Sequence, residues 1–503
     1  MCSPKHTMRC AALALVAARA AALAPPNLRV AEVPKLADRL DDLPSVPSPI
    51  GHTDAIHFVP SGDIFVDDDA LIASSVTATR SRMISEDATF FHRAGPRRDV
   101  VFEPGEARAC IVTCGGVCPG LNTVVRELYL CLAKLYGVST VYGVQNGYSG
   151  FQDWARDAVQ MSPEFVYEIQ RKGGTVLRSS RGGHDTVKIC DALDENGVNM
   201  LFVIGGDGTM KGACKIDAEM KLRGRKCVVC CVPKTIDNDV PLIDTSFGFS
   251  SAVDAAIPMI LTANTEAEAC PNGIGIVKLM GRHSGFIALH ATLASGDVDL
   301  CLVPESSFQV KEIMDHLEQK LRQNDHALVV VAEGAGQAQM GAEPKFDASG
   351  NALNEDVGLW LKSVITNHFA HERYDSDPDF AGKKAKCFLV DPTYAIRAVP
   401  ANAYDQVYCS SLAHAACHGA MAGYTRFLVG NINTRLAMLP LDLVVNRRNI
   451  VGIRDRMWTR LLFSTGQPPF EASLNVEEEC DAELLYRGET ATGGCTVSFG
   501  DEY

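Results

Sequence analysis

A chain of 503 residues with 47% hydrophobic content holds enough apolar material for two large lobes. Its net charge of −14 excludes a nucleic-acid scaffold, whose affinity rests on Lys and Arg, and no run reaches the roughly twenty apolar residues of a membrane span. An anionic small substrate stays open, because a local basic cluster works inside an acidic protein. The 18 cysteines are scattered through apolar runs such as Cys227–Val232. Cys227-x-x-Cys230 lies inside a strand-like run with no second pair at metal-site spacing, so buried, reduced thiols are expected and no disulfide framework.

Four segments follow from composition. Residues 1–31 contain no Asp or Glu and run from basic (Lys5, Arg9) through alanine-rich apolar sequence to Ala22–Pro26, the pattern of a cleaved targeting presequence. Residues 32–107 are polar and proline-rich and read as an extended arm packing on the main body. Residues 108–470 form the core, and 471–503 an acidic tail.

Within the core, one apolar run after another is closed by a small polar loop. Ala109–Thr113 leads into Gly115, Gly116 and Gly120, and the segment behind them places Val124, Leu128, Leu132 and Leu135 at helical spacing. Val141–Val144 leads to a loop with Tyr148, either a ring beside a nucleotide or a loop-packing aromatic. Gly173–Asp185 is a polar glycine loop carrying Arg178, Arg181 and His184, of which His184 reads as structural. Leu201–Ile204 ends at Gly205-Gly206-Asp207-Gly208-Thr209. Cys227–Val232 ends at Pro233-Lys234-Thr235-Ile236-Asp237-Asn238-Asp239. A helix is expected over Thr245–Ala263. The strand Gly273–Val277 precedes Met280-Gly281-Arg282-His283-Ser284-Gly285. The strand His326–Ala332 precedes Glu333, and Cys387–Val390 precedes Tyr394 and Arg397. The basic run Asn446–Leu462 reads as an amphipathic helix with a solvated face.

This repetition predicts an α/β fold of doubly wound, mainly parallel sheets. Ligands of such sheets bind outside the carboxyl ends of the strands. Asp207 and Asp237 lie about thirty residues apart, the strand–helix–strand spacing that puts both carboxylates at one rim. Glycine turns let backbone N–H groups approach a phosphate. One carboxylate then holds Mg²⁺ while the other takes a proton from an attacking hydroxyl, which are the requirements of phosphoryl transfer.

Taken together and in order, the loops resemble those of 6-phosphofructokinases, and most closely the ATP-dependent enzymes of plants, algae and kinetoplastids. The resemblance rests on Gly115–Asn122, Ser179–Thr186, Ile204–Thr209, Pro233–Asp239, Lys278–Ala288, Ala332–Gly336 and Asp391–Ala403. Ile204–Thr209 alone is shared with lipid and NAD kinases. Pro233–Asp239 followed by Met280–Gly285 is highly specific.

The resemblance implies two Rossmann-like lobes and transfer of the ATP γ-phosphoryl group to O1 of fructose 6-phosphate. It implies Asp237 as general base, with Thr235 and Arg282 steadying the transferred group. Asp207 would hold Mg²⁺, while Gly116, Arg181, Gly182, Gly206, Gly208 and Thr209 line the ATP phosphates and Tyr148 lies near the nucleotide. Thr235, Asp237, Met280, Gly281, Arg282, Glu333, Tyr394 and Arg397 would bind the sugar phosphate. It also implies a homo-oligomer of two or four copies; charge and hydropathy point to no nucleic-acid or membrane partner, and a plastid location fits the leader, with cytoplasm or mitochondrion as alternatives.

Pyrophosphate users of the family carry Asp where this chain has Gly208. Glycine leaves room for the α-phosphate of ATP, so ATP is the expected donor. The alternatives are a pyrophosphate-dependent enzyme and a non-catalytic regulatory subunit. One departure stands out: where plant-like members tend to carry a Lys six residues before the Tyr, this chain has Phe388, with Lys386 two residues earlier.

Overall fold

The computed structural model describes residues 28–41, 43–50, 64–76, 88–341, 345–346, 352–371, 374–380 and 384–472. Residues 1–27 of the expected 1–31 leader and residues 473–503 of the expected 471–503 tail lie outside the described residues, as does the expected cleavage region at Ala22–Pro26.

β1 (Arg29–Ala31) forms from the last three residues of the segment expected as presequence and pairs with β3 (Thr89–Arg93), which with β2 (Leu71–Ala73) comes from the N-terminal arm. The first lobe then alternates strand and helix through β4 (Arg108–Thr113), α1 (Leu121–Leu130), β5 (Thr140–Val144), β6 (Ala158–Gln160), α2 (Thr186–Glu195), β7 (Met200–Gly205), α3 (Asp207–Leu222) and β8 (Val228–Pro233). The second lobe comprises α4 (Phe249–Glu268), β9 (Gly273–Leu279), α5 (Phe286–Ser295), β10 (Leu300–Leu302), α6 (Val310–Asn324), β11 (His326–Ala332), α7 (Val357–Phe369), β12 (Lys386–Val390) and α8 (Thr393–Arg397). The chain returns to the first lobe with α9 (Ala403–Met421), β13 (Phe427–Ile432) and β14 (Arg435–Pro440), and α10 (Arg456–Thr465) packs back on the second.

The main sheet has ten strands in the order β1-β3-β14-β13-β8-β7-β4-β5-β6, with β2 beside β3. Its centre, β13-β8-β7-β4-β5, is parallel throughout. Both faces of these strands are covered, which explains their unbroken apolar runs: every residue of β7 and of β8 is buried. Val124, Leu128, Leu412 and Ala416 of α1 and α9 fill one face. Ile189, Leu193, Met210 and Ile216 of α2 and α3 fill the other. The second sheet is parallel in the order β10-β11-β9-β12, between a layer with α4 and α5 and a layer with α6 and α7. Each parallel neighbour is reached by a helical crossover, so all the carboxyl ends of a sheet face one way.

The arm does more than pack on the body. Beyond adding strands, it is pinned by Arg39, whose guanidinium donates to both carboxylate oxygens of buried Asp217 at 2.8 and 2.6 Å. Fourteen cysteines among the described residues are free thiols, eleven of them buried, including Cys227, Cys230 and Cys231 of β8. No helix of the described residues is long and apolar enough to cross a membrane.

Two expectations on elements are corrected. The helix after the central loop begins at Phe249 rather than Thr245, because Gly248 takes a left-handed φ of +88° and marks the start. The basic run is helical only from Arg456; Asp455 caps that helix by accepting from the Trp458 N–H at 2.8 Å, and residues 446–455 run as an irregular segment.

Candidate active site

The carboxyl ends of both sheets open on one cleft of about 860 Å³. All the residues singled out above as site candidates line it, from Gly116 and Arg181 to Tyr394 and Arg397. Seven Lys and Arg side chains face five carboxylates in its wall, a cationic excess inside an acidic chain.

The loop after β4 is shaped by glycine. Gly115 has φ +85°, and its N–H donates to the Ser180 carbonyl at 3.0 Å while the Ser179 hydroxyl donates to its own carbonyl at 2.5 Å. These bonds tie the loop to the Ser179–Thr186 stretch that carries Arg181. A Cβ on Gly116 would stand 3.8 Å from the Arg397 guanidinium and 3.9 Å from that of Arg181. Two cations, one from each lobe, thus converge on one half-buried stretch of backbone.

After β7 the chain turns at Gly206, and Asp207 is the first residue of α3. One Asp207 oxygen pairs with Lys211 at 2.8 Å, and the other accepts from the Asn446 N–H at 3.3 Å. A Cβ at Gly208 would meet no atom within 4 Å, so the place beside the helix N-terminus is open. Tyr148 is buried, its hydroxyl donating to the Thr209 carbonyl at 2.8 Å and its ring edge-on to His184 at 4.9 Å. It braces the first turn of α3 from beneath.

The loop after β8 holds two carboxylates in contrasting states. Asp239 accepts the Thr235 hydroxyl at 2.6 Å. The same hydroxyl accepts from the Asp237 N–H at 3.2 Å, so Thr235 shapes the turn. Asn238, at φ +58°, takes the left-handed position and accepts from the Ser246 N–H at 2.8 Å. Asp237 Oδ1 is buried and has no hydrogen-bond partner among the described residues. Burial, then the nearby charges of Asp239 and Glu333, push the Asp237 carboxyl well above the usual carboxylate range against the opposing pull of Arg282 and Lys234. An orphaned buried acceptor costs stability, so its retention points to a partner that arrives with a ligand.

The second lobe supplies the facing wall. Gly281, at φ +130°, would place a Cβ 2.3 Å from the Ser284 carbonyl oxygen, so only glycine fits the turn that presents Arg282. Arg282 Nε donates to Glu333 Oε1 at 3.1 Å. Ser284 reaches across the lobes, donating to the Asp237 carbonyl at 3.0 Å. His283 is kept neutral, pushed down to about 4 by burial and by Arg448 and Arg282. Arg397 stacks on the exposed Tyr394 ring, 4.6 Å from its centroid.

Four further cations line the cleft that the sequence reading did not select. Lys234 is buried behind Gly115, where a Cβ would stand 3.5 Å from its ammonium; burial pushes its pKa down. Lys278 pairs with Asp356 at 3.0 Å and Asp391 at 2.9 Å. Arg447 and Arg448 sit on the irregular segment read above as a solvated helix, and the Asn446 contact holds that segment against Asp207. Gly452 and the Asp455 cap were the signals that the helix starts later. Lys386 opens β12, roughly 13 Å upstream of the strand end at the cleft, and lies outside the wall.

Comparison with known proteins agrees with this geometry. Residues 108–420 match the phosphofructokinase family. The chain is 46% identical over 446 residues to the ATP-dependent 6-phosphofructokinase 4, chloroplastic, of Arabidopsis thaliana, covering 87% of this chain and 81% of that one. It is 46% identical over 455 residues to that organism's ATP-dependent 6-phosphofructokinase 7, covering 89% and 90%. Among solved structures, the pyrophosphate-dependent phosphofructokinase of Marinobacter aquaeolei superposes with a TM-score of 0.59 at 20% identity, over 78% of this chain and 94% of that one, a likeness of fold. With the matched region spanning β4–β8 of the main sheet, the whole second sheet and the strand-end loops that carry the site candidates, the chain belongs to the phosphofructokinase family.

Proposed function

We propose that this protein is an ATP-dependent 6-phosphofructokinase: it transfers the γ-phosphoryl group of ATP to O1 of fructose 6-phosphate, giving fructose 1,6-bisphosphate, with Mg²⁺ as cofactor. One observation carries the reading. A buried carboxylate oxygen without a partner, on Asp237, faces a cleft whose other walls are glycine turns and arginines.

In this reading the glycine turns at 115–116 and 206–208 and the N-terminus of α3 receive the triphosphate through backbone N–H groups. Arg181 clamps its oxygens, and Tyr148 holds the α3 turn in register. Asp237, ionised once a substrate hydroxyl donates to Oδ1, takes the O1 proton as that oxygen attacks phosphorus. Arg282 leaves Glu333 for the transferring group and offsets its charge. Thr235 fixes the loop beside it, Met280, Gly281 and Glu333 shape the sugar site, and Tyr394 and Arg397 flank the sugar phosphate. The hard-oxygen character of Asp207, beside incoming phosphate oxygens, fits Mg²⁺. Mg²⁺ when bound neutralises charge on the β- and γ-phosphates.

ATP is favoured over pyrophosphate because the place beside Gly208 is open. The test is fructose 1,6-bisphosphate formation by the full chain with Mg²⁺ and fructose 6-phosphate, supplying ATP or pyrophosphate separately. Turnover with ATP alone supports the reading. Turnover with pyrophosphate alone overturns the donor, and silence with both in folded protein favours a regulatory subunit.

The acid-free leader and the chloroplastic relative support a plastid location. A reporter fused to residues 1–35 is expected to leave the cytosol of an algal host, and a diffuse cytosolic signal would contradict it. A homo-oligomer of two or four copies is checked by light scattering on the eluting protein.

A further inference from the structure

Away from the cleft, two helices face each other with metal-ligand chemistry that the phosphoryl-transfer reading does not use. On α9, His414 and His418 are spaced i, i+4 and stand on one face. On the opposing helix, Glu127 and Cys131 have the same spacing. One ligand atom each from Cys131, His414 and His418 lie within 4.8 Å of one another. Glu127 Oε2 is 3.5 Å from His414 Nε2. Two i, i+4 pairs on packed helices are how helical layers build metal sites.

Glu127 Oε1 pairs with Arg126 and its Oε2 accepts from the Ser410 hydroxyl at 3.3 Å, bonds that a metal ion at Oε2 would partly replace. Cys131 is buried and opens a π-helical turn, Cys131–Leu135, closed by the Tyr136 N–H donating to the Cys131 carbonyl at 3.3 Å. Such turns are rare and recur at functional sites. The Tyr136 hydroxyl lies 2.8 Å from His418 Nδ1, which leaves Nε2 for a ligand and orients the ring from the outer shell. His414 is about one third exposed and provides the entry path.

We propose that Cys131, His414 and His418, with Glu127 as fourth ligand, form a binding site for a borderline-soft divalent cation of the Zn²⁺ type. A thiolate, a carboxylate and two neutral imidazoles balance the charge of such an ion. Tetrahedral Zn²⁺ places its donors about 3.5 Å apart, inside the 4.8 Å within which the three ligand atoms already lie. Binding releases the Cys131 proton to solvent. The site lies at the far end of α1, on the order of 15 Å from the glycine loop at its start, so it is separate from the Mg²⁺ position at Asp207.

The test is titration of the full-length, chelator-treated, reduced protein with Co²⁺ as a spectroscopic stand-in for Zn²⁺. One equivalent with a thiolate-to-cobalt charge-transfer band and tetrahedral d–d absorption is expected, lost on adding Zn²⁺. His414→Ala, at a position about one third exposed, is expected to weaken binding more than about 100-fold, and Tyr136→Phe about 10-fold or more. Binding without a thiolate band, no binding, or unchanged affinity in His414→Ala would each overturn the site.

Discussion

The two rims of the cleft solve the same problem in different ways. The first lobe offers backbone: glycine turns after β4 and β7, the start of α3, and one carboxylate, Asp237, whose Oδ1 has no partner. The second offers side-chain charge that is already paired, with Arg282 on Glu333 and Lys278 between Asp356 and Asp391. Backbone donors are fixed in place and cost no reorganisation, which suits a polyphosphate held throughout the reaction. Paired side chains exchange partners when an anion arrives, which suits an acceptor and a group in transit.

Four substitutions test that division, beginning with the largest effect. Asp237→Ala is expected to cut kcat by about 10²–10⁴-fold with the KM for sugar phosphate held within a few-fold; a normal kcat would remove the base role. Arg282→Ala is expected to cost about 10²–10³-fold in kcat, with Lys restoring only part because an ammonium lacks the planar fork. Equal activity of the two variants would contradict a directed contact. Gly208→Asp should lower kcat/KM for ATP more than about tenfold by placing a carboxylate at the phosphate site. Its melting temperature should not change, since the new Cβ meets no atom; unchanged ATP kinetics would break the donor argument.

The smallest effect is on stability. The Asp237 carboxyl is raised in the folded protein, chiefly by burial. Its contribution is therefore fully present below the unfolded carboxylate range and is lost as pH rises through the raised folded value. Asp237→Asn removes that cost, so it should raise Tm by roughly 1–3 °C at pH 8 and by less at pH 5. A lower Tm at pH 8 would mean that the carboxylate is satisfied in the folded protein.

Strand-end residues were legible from sequence because the runs of β7 and β8 are long enough to be buried on both faces and are closed by small polar loops, glycine-rich after β7 and opened by Pro233 after β8. Asp207 and Asp237 follow directly from that geometry. Arg447 and Arg448 did not, because their place depends on a chain return through β13 and β14 that brings residues more than two hundred positions downstream beside Asp207. Their spacing with Arg454 and Arg456 imitates a helix face that the Asp455 cap cancels. Lys234 sat inside a recognised loop, yet its direction, inward behind Gly115, is set by contacts with another loop. The arm's strands were obscured for a similar reason: Thr89–Arg93 pairs with strands on both sides but alternates too weakly to announce itself.

The most direct test of Asp237 as the base is the pH profile of kcat/KM for fructose 6-phosphate, in the unmodified chain and in Glu333→Gln. Substrate phosphates also titrate near neutrality, and the variant separates them from the enzyme's own group. The account predicts an acid limb above the ordinary carboxylate range that moves to lower pH in Glu333→Gln, because one of the negative neighbours that raise Asp237 is gone. A limb that stays in place in the variant, or one in the ordinary carboxylate range, would contradict it.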